Sequence, residues 1–353
     1  MERQDIELPY IQRYENIAWY EDGIVRILDR RIYPAKIEFV ICKKYEDVML
    51  AIRNMVTQSA GPYTAAPMGM ALAAWECRDM SEHKQLEFLI EAAEVISNAR
   101  PTTKERIKIV LDGCFPTIRK ALMEGKRVDL AIRDHVIEAN NRRYEKIGVM
   151  GEYLADLFPN GGSVMTQCYA DTILGTMLRA CKKKNKIINL FVPETRPYLQ
   201  GARLTATVCA EMGFDTTLIT DNMPAFVMKK EKIDIFTCAA DAITCDGYVF
   251  NKVGTSQIAI CAKYFDIPMY VSGAPDIGHP TWNTVKIEMR NPEETLEAMH
   301  VRTAALGLGI KGYYPAFDMT PPELITGIVT EKGVFKPLEL NQYFEKGGKG
   351  EYI

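Results

Sequence analysis

The chain has 353 residues, a formal net charge of −3 and a hydrophobic fraction of 47%, with 25% charged residues. This composition is ordinary for a globular enzyme and excludes wholesale disorder, and the length predicts two domains. The charge gives no electrostatic reason to expect nucleic acid, which needs a basic face. No long apolar run and no signal peptide is present, so we expect no membrane association and a cytoplasmic location.

The first third of the chain is predicted to form a β-meander followed by a helical bundle. Short β-branched or aromatic runs predict strands at 17–20, 23–28 and 36–41. Apolar residues then recur at helical spacing, which predicts helices at 45–55, 68–75, 85–98 and 104–113, and another from 118. We therefore assign residues 1–126 to an N-terminal β-meander and helical domain.

After a long polar helix around 129–146, strands and helices alternate. Strands are predicted at 163–166, 187–192, 215–219, 233–238 and 268–271, with helices between them at 172–181, 201–212, 224–230 and 257–264. This alternation predicts an α/β fold with a parallel sheet and helices on both faces. We assign 127–353 to this Rossmann-like catalytic domain. No G-x-G-x-x-G motif follows a strand, so nothing supports dinucleotide binding.

Polar residues follow each of the five predicted strands. They lie at 168, 194–196, 221–222, 241 and 272. Ligands of open α/β sheets bind outside the carboxyl ends of the strands, so these residues predict one composite site at that edge.

Cys168 lies where the first of these strands crosses to a helix. The helix dipole and free N–H groups favour a thiolate there, which predicts a reactive thiol. The alternative is a buried structural cysteine, the commoner fate of free thiols. The 9 cysteines and 4 histidines show neither C-x-x-C nor metal-ligand spacing, so we expect reduced thiols and no metal.

Two further segments carry polar groups suited to a sugar phosphate. Arg196, Gln200 and Arg203 offer guanidinium and amide donors for phosphate and hydroxyl groups, or they brace their loop by pairing with acids such as Glu194. Asp241 follows a strand among apolar neighbours, which favours an enclosed carboxyl with a raised pKa that can act as acid or base.

Asn251 and Lys252 open the next predicted helix. They can hold a phosphate or hydroxyl, or merely cap the helix.

The run Pro-Glu-Thr-Arg-Pro-Tyr-Leu-Gln-Gly-Ala-Arg-Leu-Thr at 193–205 resembles a loop of the S-methyl-5-thioribose-1-phosphate isomerase family. That family is related to the regulatory subunits of translation initiation factor 2B and to ribose 1,5-bisphosphate isomerase. Further matching segments occur in order along nearly the whole chain, at 97–102, 164–168, 218–223, 240–241 with 251–255, and 315–323.

The resemblance implies an aldose–ketose isomerisation of a ribose 1-phosphate, in which a general acid protonates the ring oxygen. It places the catalytic cysteine and aspartate at Cys168 and Asp241. It places phosphate and sugar contacts near five residues, namely Arg100, Arg196, Gln200, Asn251 and Lys252. It implies no external cofactor, a phosphorylated sugar as substrate, and a homodimer.

The sequence departs from the family pattern at three substrate positions. Gln58 replaces the arginine of a phosphate-binding Arg-Gly-Ala-Pro, a loss of about 1.5–3 kcal/mol for a charge-assisted contact. Tyr169-Ala170-Asp171 replaces a small Asn-Ala-Gly turn, and Tyr314 replaces an asparagine. The departures leave open an isomerase of 5-deoxyribose 1-phosphate or ribose 1,5-bisphosphate, or a non-catalytic sugar-phosphate sensor like the initiation-factor subunits.

Overall fold

The computed structural model describes residues 2–100, 104–299 and 301–347. Residues 101 and 102 of the segment at 97–102 lie outside the described residues. The chain forms two compact units, one ending at Glu145 and the other beginning at Lys146. Among the described residues, no helix combines the length and the apolar character needed to cross a membrane.

The first unit contains an antiparallel three-stranded sheet and a set of helices, as the sequence predicts. The strands, in sheet order, are β1 (Ala18–Glu21), β2 (Ile24–Leu28) and β3 (Phe39–Cys42). The helices are α1 (Tyr14–Ile17), α2 (Tyr45–Arg53), α3 (Pro62–Glu76), α4 (Glu82–Ser97), α5 (Lys104–Asp112) and α6 (Phe115–Met123). Apolar side chains of the sheet and helices share one core.

Helix α3 begins six residues earlier than the sequence predicts. Pro62 stands in its first turn, where the missing N–H costs no hydrogen bond. The helix is almost wholly buried, which suits its small residues. At Gly69 an added Cβ would lie 3.0 Å from Val48 Cγ1 on α2, so α2 and α3 pack too closely there for a larger residue.

Helix α7 (Val128–Leu157) is a single element of 30 residues. The sequence places the domain boundary before this helix, at residue 126, whereas the two compact units divide within it, after Glu145. In the part of the helix that belongs to the second unit, Gly151 packs closely on the backbone of Thr176. An added Cβ there would lie 2.7 Å from the Thr176 carbonyl carbon.

The second unit is built on a seven-stranded sheet, and the predicted α/β fold class is confirmed. The strand order is β15-β14-β10-β7-β4-β5-β6. The strands are β4 (Gly162–Met165), β5 (Ile188–Pro193), β6 (Asp215–Ile219), β7 (Ile235–Ala239), β10 (Met269–Ser272), β14 (Gly327–Thr330) and β15 (Gly333–Phe335). All neighbours pair in parallel except β14 and β15, which are antiparallel.

The helices of this unit follow the strands in the predicted alternation. They are α8 (Thr172–Lys183), α9 (Ala206–Glu211), α10 (Pro224–Lys230), α11 (Thr255–Tyr264) and α12 (Asn341–Glu345). A π-helical turn, Gly201–Thr205, precedes α9 within the predicted helix 201–212.

The strand order places a topological switch point between β4 and β7. From β4 the chain proceeds outward through β5 and β6, and from β7 it proceeds in the opposite direction through β10 and β14. Right-handed crossovers then put the helices of the two halves on opposite faces, which opens a crevice at the carboxyl ends of β4 and β7. Cys168 follows β4 and Asp241 follows β7.

A second sheet contains strands that the sequence prediction misses. It has the order β13-β9-β8, with β8 (Ala242–Ile243), β9 (Val249–Lys252) and β13 (Phe317–Thr320), all antiparallel. The prediction that Asn251 and Lys252 open a helix is therefore wrong, because they end strand β9 and helix α11 begins at Thr255. The pairing of β9 with distant β13 outweighs the local pattern. Between β9 and β13 in the sequence lies a two-stranded antiparallel ribbon, formed by β11 (Glu297–Ala298) and β12 (Val301–Arg302).

Candidate active site

Cys168 occupies the loop between β4 and α8 in an uncommon backbone conformation. Its φ angle is 57° and that of Asp171 is 51°, both in the left-handed region that ordinary residues rarely adopt. The Thr205 hydroxyl, at the end of the π-helical turn, donates a hydrogen bond to the Cys168 carbonyl oxygen. Such conformations persist where neighbouring structure holds them, and they cluster at functional sites.

The prediction of a thiolate at Cys168 is wrong. Burial raises the pKa of the thiol to about 11, and the Asp241 and Asp221 charges raise it further. The Lys252 charge and the Tyr169 N–H act in the opposite direction, but burial dominates. Helix α8 begins only at Thr172, four residues after the cysteine, so its dipole contributes little. At neutral pH Cys168 is a thiol that can donate a proton.

Asp241 lies near Cys168 but is not enclosed as predicted. Its side chain is exposed, although Ile243 two residues later is buried. Its backbone N–H donates to the Phe250 carbonyl oxygen at 2.8 Å, which joins the end of β7 to strand β9.

Asn251 and Lys252, at the end of β9, are both buried in the second unit, with 6% and 7% of their surface exposed. Asn251 Nδ2 lies 3.1 Å from Thr255 Oγ1, and its amide also forms a hydrogen bond with the Cys238 thiol. Lys252 Nζ lies 5.0 Å from the centroid of the Phe317 ring. Within the described part of the chain no carboxylate lies at ion-pair distance from this ammonium group, and a buried charge favours an anionic partner.

Arg196 braces the loop after β5 through backbone carbonyls, rather than through an acid such as Glu194. Its Nη2 donates to the carbonyl oxygens of Glu297 at 2.5 Å and Glu294 at 3.3 Å. The Asp221 carboxylate accepts the backbone N–H groups of Thr195 and Arg196 at 2.8 and 2.6 Å. The loop therefore joins the carboxyl ends of β5 and β6 to the segment at 294–297.

Gln200 is buried to 6% exposure, and its Oε1 accepts no hydrogen bond from any residue that the structure describes. Arg203 turns back on its own loop, with Nη2 2.8 Å from the Tyr198 carbonyl oxygen. Gly201 is required beside them because an added Cβ would lie 1.8 Å from the Pro193 carbonyl oxygen. Of Gln200 and Arg203, Gln200 is therefore the residue with a buried oxygen to which a sugar hydroxyl can donate a hydrogen bond.

Tyr169 and Asp171 are both buried, as expected for residues at the floor of a site, with 5% and 3% exposure. The Tyr169 hydroxyl lies 3.4 Å from Asp171 Oδ1. Asp171 is the N-cap residue of α8, but its side chain makes no capping hydrogen bond.

Gln58 and Arg100 belong to the first unit. Gln58 lies in the turn between α2 and α3 and is 2% exposed, with Nε2 3.2 Å from the Met55 carbonyl oxygen. A fully buried guanidinium that the sequence analysis did not single out, that of Arg30, donates to the Gln58 carbonyl oxygen at 2.7 Å. Arg100 is partly buried and directly precedes the gap at 101–103.

Two residues that the sequence analysis does not propose, Glu294 and Tyr198, both act electrostatically on Tyr314. Burial raises the pKa of Glu294, while the Arg290 and Lys252 charges lower it, so this carboxyl faces the same cation as the thiol. Tyr198 acts electrostatically on Tyr314, which in turn lies near Cys168. The local sequence at Glu294 reads as an ordinary acidic turn, so no local signal identifies it.

Asp318 fixes the turn that carries Lys252 into helix α11. Its carboxylate accepts the N–H groups of Gly254 at 2.7 Å and Ser256 at 3.1 Å. Burial raises its pKa to about 6, although these two hydrogen bonds lower it. Gly254 has a φ of 102°, which a residue with a side chain would adopt only under strain.

The chain matches the family model described as "Initiation factor 2 subunit family" over residues 65–337. The chain belongs to this family. A "Putative methylthioribose-1-phosphate isomerase" of Methanocaldococcus jannaschii is 38% identical over 335 residues, 91% of this chain and 95% of the relative. A "5-deoxyribose 1-phosphate isomerase" of Clostridium botulinum is 35% identical over 337 residues, 91% and 95% of the two chains.

The fold comparison agrees with the sequence comparison. The crystal structure of 5-methylthioribose 1-phosphate isomerase from Pyrococcus horikoshii superposes with a TM-score of 0.82 and 29% identity. The match covers 97% of this chain and 100% of the chain in that crystal structure. The expected family membership is therefore confirmed over both units.

The raised pKa of Asp318 predicts a pH-dependent contribution to stability. Because the folded-state pKa of about 6 exceeds the usual aspartate value of 3.8, the folded protein binds more protons between these pH values. Its contribution to the free energy of unfolding therefore falls as pH rises through this window. We expect Asp318→Asn to abolish that part of the decline, measured as the unfolding midpoint against pH from 3.5 to 7. The exposed Asp266→Asn is the control, and identical profiles for wild type and Asp318→Asn would contradict the assignment.

The pKa of about 11 at Cys168 predicts slow alkylation at neutral pH. Since only the thiolate reacts, the iodoacetamide rate at Cys168 should rise about tenfold per pH unit to pH 10. Mass spectrometry of the Cys168 peptide measures this rate. A plateau near pH 8.5, where an ordinary thiol is half ionised, would show that burial does not control this group.

Proposed function

We propose that this protein is an aldose–ketose isomerase of the methionine-salvage type. Its substrate is S-methyl-5-thioribose 1-phosphate or a similar 5-substituted ribose 1-phosphate. Its product is the corresponding ribulose 1-phosphate. The observation that carries the proposal is the position of Cys168 and Asp241 after β4 and β7, the strands on either side of the switch point. The relatives named as isomerases support the same reaction.

Cys168 is the general acid in this proposal. A phosphate on C1 prevents simple opening of the ribose ring, so the ring oxygen must be protonated before its bond to C1 breaks. A thiol with a pKa of about 11 carries its proton at neutral pH and has it available for this step. Protonated cysteine therefore suits ring opening better than a thiolate would.

Asp241 is the proton acceptor. After ring opening, hydrogen moves from C2 to C1, and the C2 hydroxyl loses its proton as it becomes the ketone. An exposed carboxylate beside Cys168 is accessible to that hydroxyl. One proton enters at the ring oxygen and one leaves from the C2 oxygen, so the pair of residues balances the reaction. The transfer from C2 to C1 occurs as a hydride or as a proton, and retention of deuterium from C2 in the product distinguishes the two.

Lys252 holds the phosphate in this proposal. Its buried ammonium group acts electrostatically on Cys168, and substrate phosphate supplies the anion that the neighbouring protein groups do not. Gln200 Oε1, which accepts no hydrogen bond from a described residue, accepts one from a sugar hydroxyl. Asn251 orients the site by bonding Thr255 and Cys238, while Arg196 positions the loop that carries Gln200. Gln58 and Arg100 stay proposed substrate contacts. The proposal requires neither a metal nor an external cofactor.

Substitution of the two proposed catalytic residues tests the mechanism. We expect Cys168→Ser and Asp241→Asn each to lower kcat for methylthioribose 1-phosphate by about 10²–10⁴-fold, the usual contribution of acid–base catalysis, with little change in substrate affinity. Cys261→Ser is the matched control, because Cys261 is another partly buried thiol of the same unit, on helix α11. Full activity in both active-site variants would refute the assignment.

The same experiment separates the enzyme from a non-catalytic member of the family. A sugar-phosphate sensor would bind methylthioribose 1-phosphate without turnover in the wild-type protein. Binding by calorimetry together with undetectable ketose formation would therefore replace the proposed activity with a sensor role.

We further infer that the protein is a cytoplasmic homodimer. All nine cysteines, which lie within the described residues, are free thiols, in keeping with a reducing compartment. The dimer rests on the resemblance to an isomerase family whose members form dimers. Sedimentation equilibrium at assay concentration should give a mass near 80 kDa, about twice the 39.9 kDa chain. A mass near that of one chain would exclude the dimer.

A further inference from the structure

The backbone conformation of Cys168 is one that a residue with a side chain does not favour. At a φ of 57° the Cβ lies too close to the carbonyl oxygen, which costs free energy that glycine alone avoids. Relaxation to the ordinary range near −60° is a rotation of roughly 120° about the N–Cα bond. Such a rotation would turn the thiol to another side of the loop. The direction of the thiol therefore depends on the contacts that hold this conformation.

The segment that precedes Cys168 is held by two hydrogen bonds to other parts of the second unit. The Thr166 N–H donates to the Phe191 carbonyl oxygen on β5 at 3.1 Å. Gln167 Nε2 donates to the Val253 carbonyl oxygen at 3.3 Å, so the residue before the cysteine is attached to the turn after β9. These two bonds fix the chain up to residue 167 and place no restraint on the peptide group that follows Cys168.

The peptide group that follows Cys168 is bound by Thr205. The Thr205 hydroxyl donates to the Cys168 carbonyl oxygen, across 37 positions of the sequence. Thr205 is 1% exposed, so water has little access to its hydroxyl and does not compete for the bond. With the chain held before the cysteine and its carbonyl group held after it, both backbone dihedral angles of Cys168 are restrained. The direction of its Cβ, and with it the position of the thiol, is restrained as well.

Thr205 is the last residue of the π-helical turn that begins at Gly201. The turn closes with a hydrogen bond from the Ala206 N–H to the Gly201 carbonyl oxygen, five residues back instead of the usual four. At Gly201 an added Cβ would lie 1.8 Å from the Pro193 carbonyl oxygen, so the turn packs directly on the end of β5. Strand β5 pairs with β4, the strand that leads to the cysteine. Close packing at the glycine therefore holds the threonine beside the loop that it binds.

We propose that Thr205 is a positioning residue for the isomerisation, because its hydroxyl holds Cys168 in the conformation that directs the thiol to the ring oxygen of the sugar phosphate. This inference rests on the proposed function. Thr205 acts only through the cysteine backbone and contacts no substrate atom. Misplacing a reacting group by about 1 Å lowers the rate by about 10²-fold. Loss of the hydroxyl should therefore lower kcat and leave phosphate binding at Lys252 unchanged.

Thr205→Val tests this role because it keeps the shape of the side chain and removes the hydroxyl. We expect kcat for methylthioribose 1-phosphate to fall about 10–100-fold, with KM nearly unchanged. Thr205→Ser keeps the hydroxyl and should retain most of the wild-type kcat. Thr207→Val is the matched control, because the Thr207 hydroxyl also binds a main-chain carbonyl oxygen, that of Arg203 at 2.8 Å, within the same helical segment. This control should retain the wild-type kcat and KM.

Alkylation of Cys168 measures the same restraint without substrate. In Thr205→Val the released thiol should gain access to water, and its pKa should fall from about 11 toward the usual cysteine value of 9.0. Since only the thiolate reacts, the iodoacetamide rate at pH 8 should rise at least about tenfold, measured by mass spectrometry of the Cys168 peptide. Thr205→Ser and Thr207→Val should react at the wild-type rate.

The two measurements separate this inference from the function on which it rests. Absence of turnover by wild type would refute the isomerase proposal, while the alkylation rates would still show whether Thr205 holds the thiol. An unchanged kcat or an unchanged alkylation rate in folded Thr205→Val would overturn the positioning role. An equal loss of kcat in Thr205→Ser, or a raised KM at the wild-type kcat, would overturn it too. If Thr205→Val does not fold, Thr205→Ala removes the same hydroxyl and is judged by the same two measurements.

Discussion

The organisation of the second unit depends on one constraint, the reversal of strand order between β4 and β7. Parallel strands linked by right-handed crossovers can proceed outward in only one direction at a time, so the reversal leaves a crevice between two adjacent strand ends. Cys168 and Asp241 enter this crevice from opposite halves of the sheet. Two residues that are 73 positions apart in the sequence are thereby neighbours in the fold.

The electrostatics of the crevice follow from which groups are buried there. Burial keeps the proton on Cys168, while the exposed Asp241 belongs to the same site, so the two sides of the crevice differ in solvation. Lys252 supplies a buried positive charge that acts on the thiol. In the proposed reaction, solvation determines which group acts as the acid and which as the base. The buried thiol keeps its proton and the exposed carboxylate accepts one, as in other sites where two groups have different protonation states at the same pH.

The sequence predicts the alternating strands and helices of the second unit well because each buried parallel strand is a local apolar run with a turn on either side. It predicts the position of Cys168 and Asp241 for the same reason. It misses strand β9 and its partner β13, since the paired residues Asn251 and Asp318 are 67 positions apart and local patterns do not report such a pairing. It misjudges the thiol's charge and the exposure of Asp241 because both depend on packing, which periodicity does not report. Glu294 is missed because its role arises from an irregular turn.

The alternation of Tyr313 and Tyr314, of which the first is 76% exposed and the second 3% exposed, has a consequence for how this family can diversify. Which of the two rings is buried depends only on the register between 288–290 and 314–316, and a shift by one residue would exchange their faces. The segment at 303–312 that leads into this pairing is mostly exposed, and surface loops tolerate changes in length. A deletion or insertion there that shifts this register would therefore change which of the two tyrosines is buried.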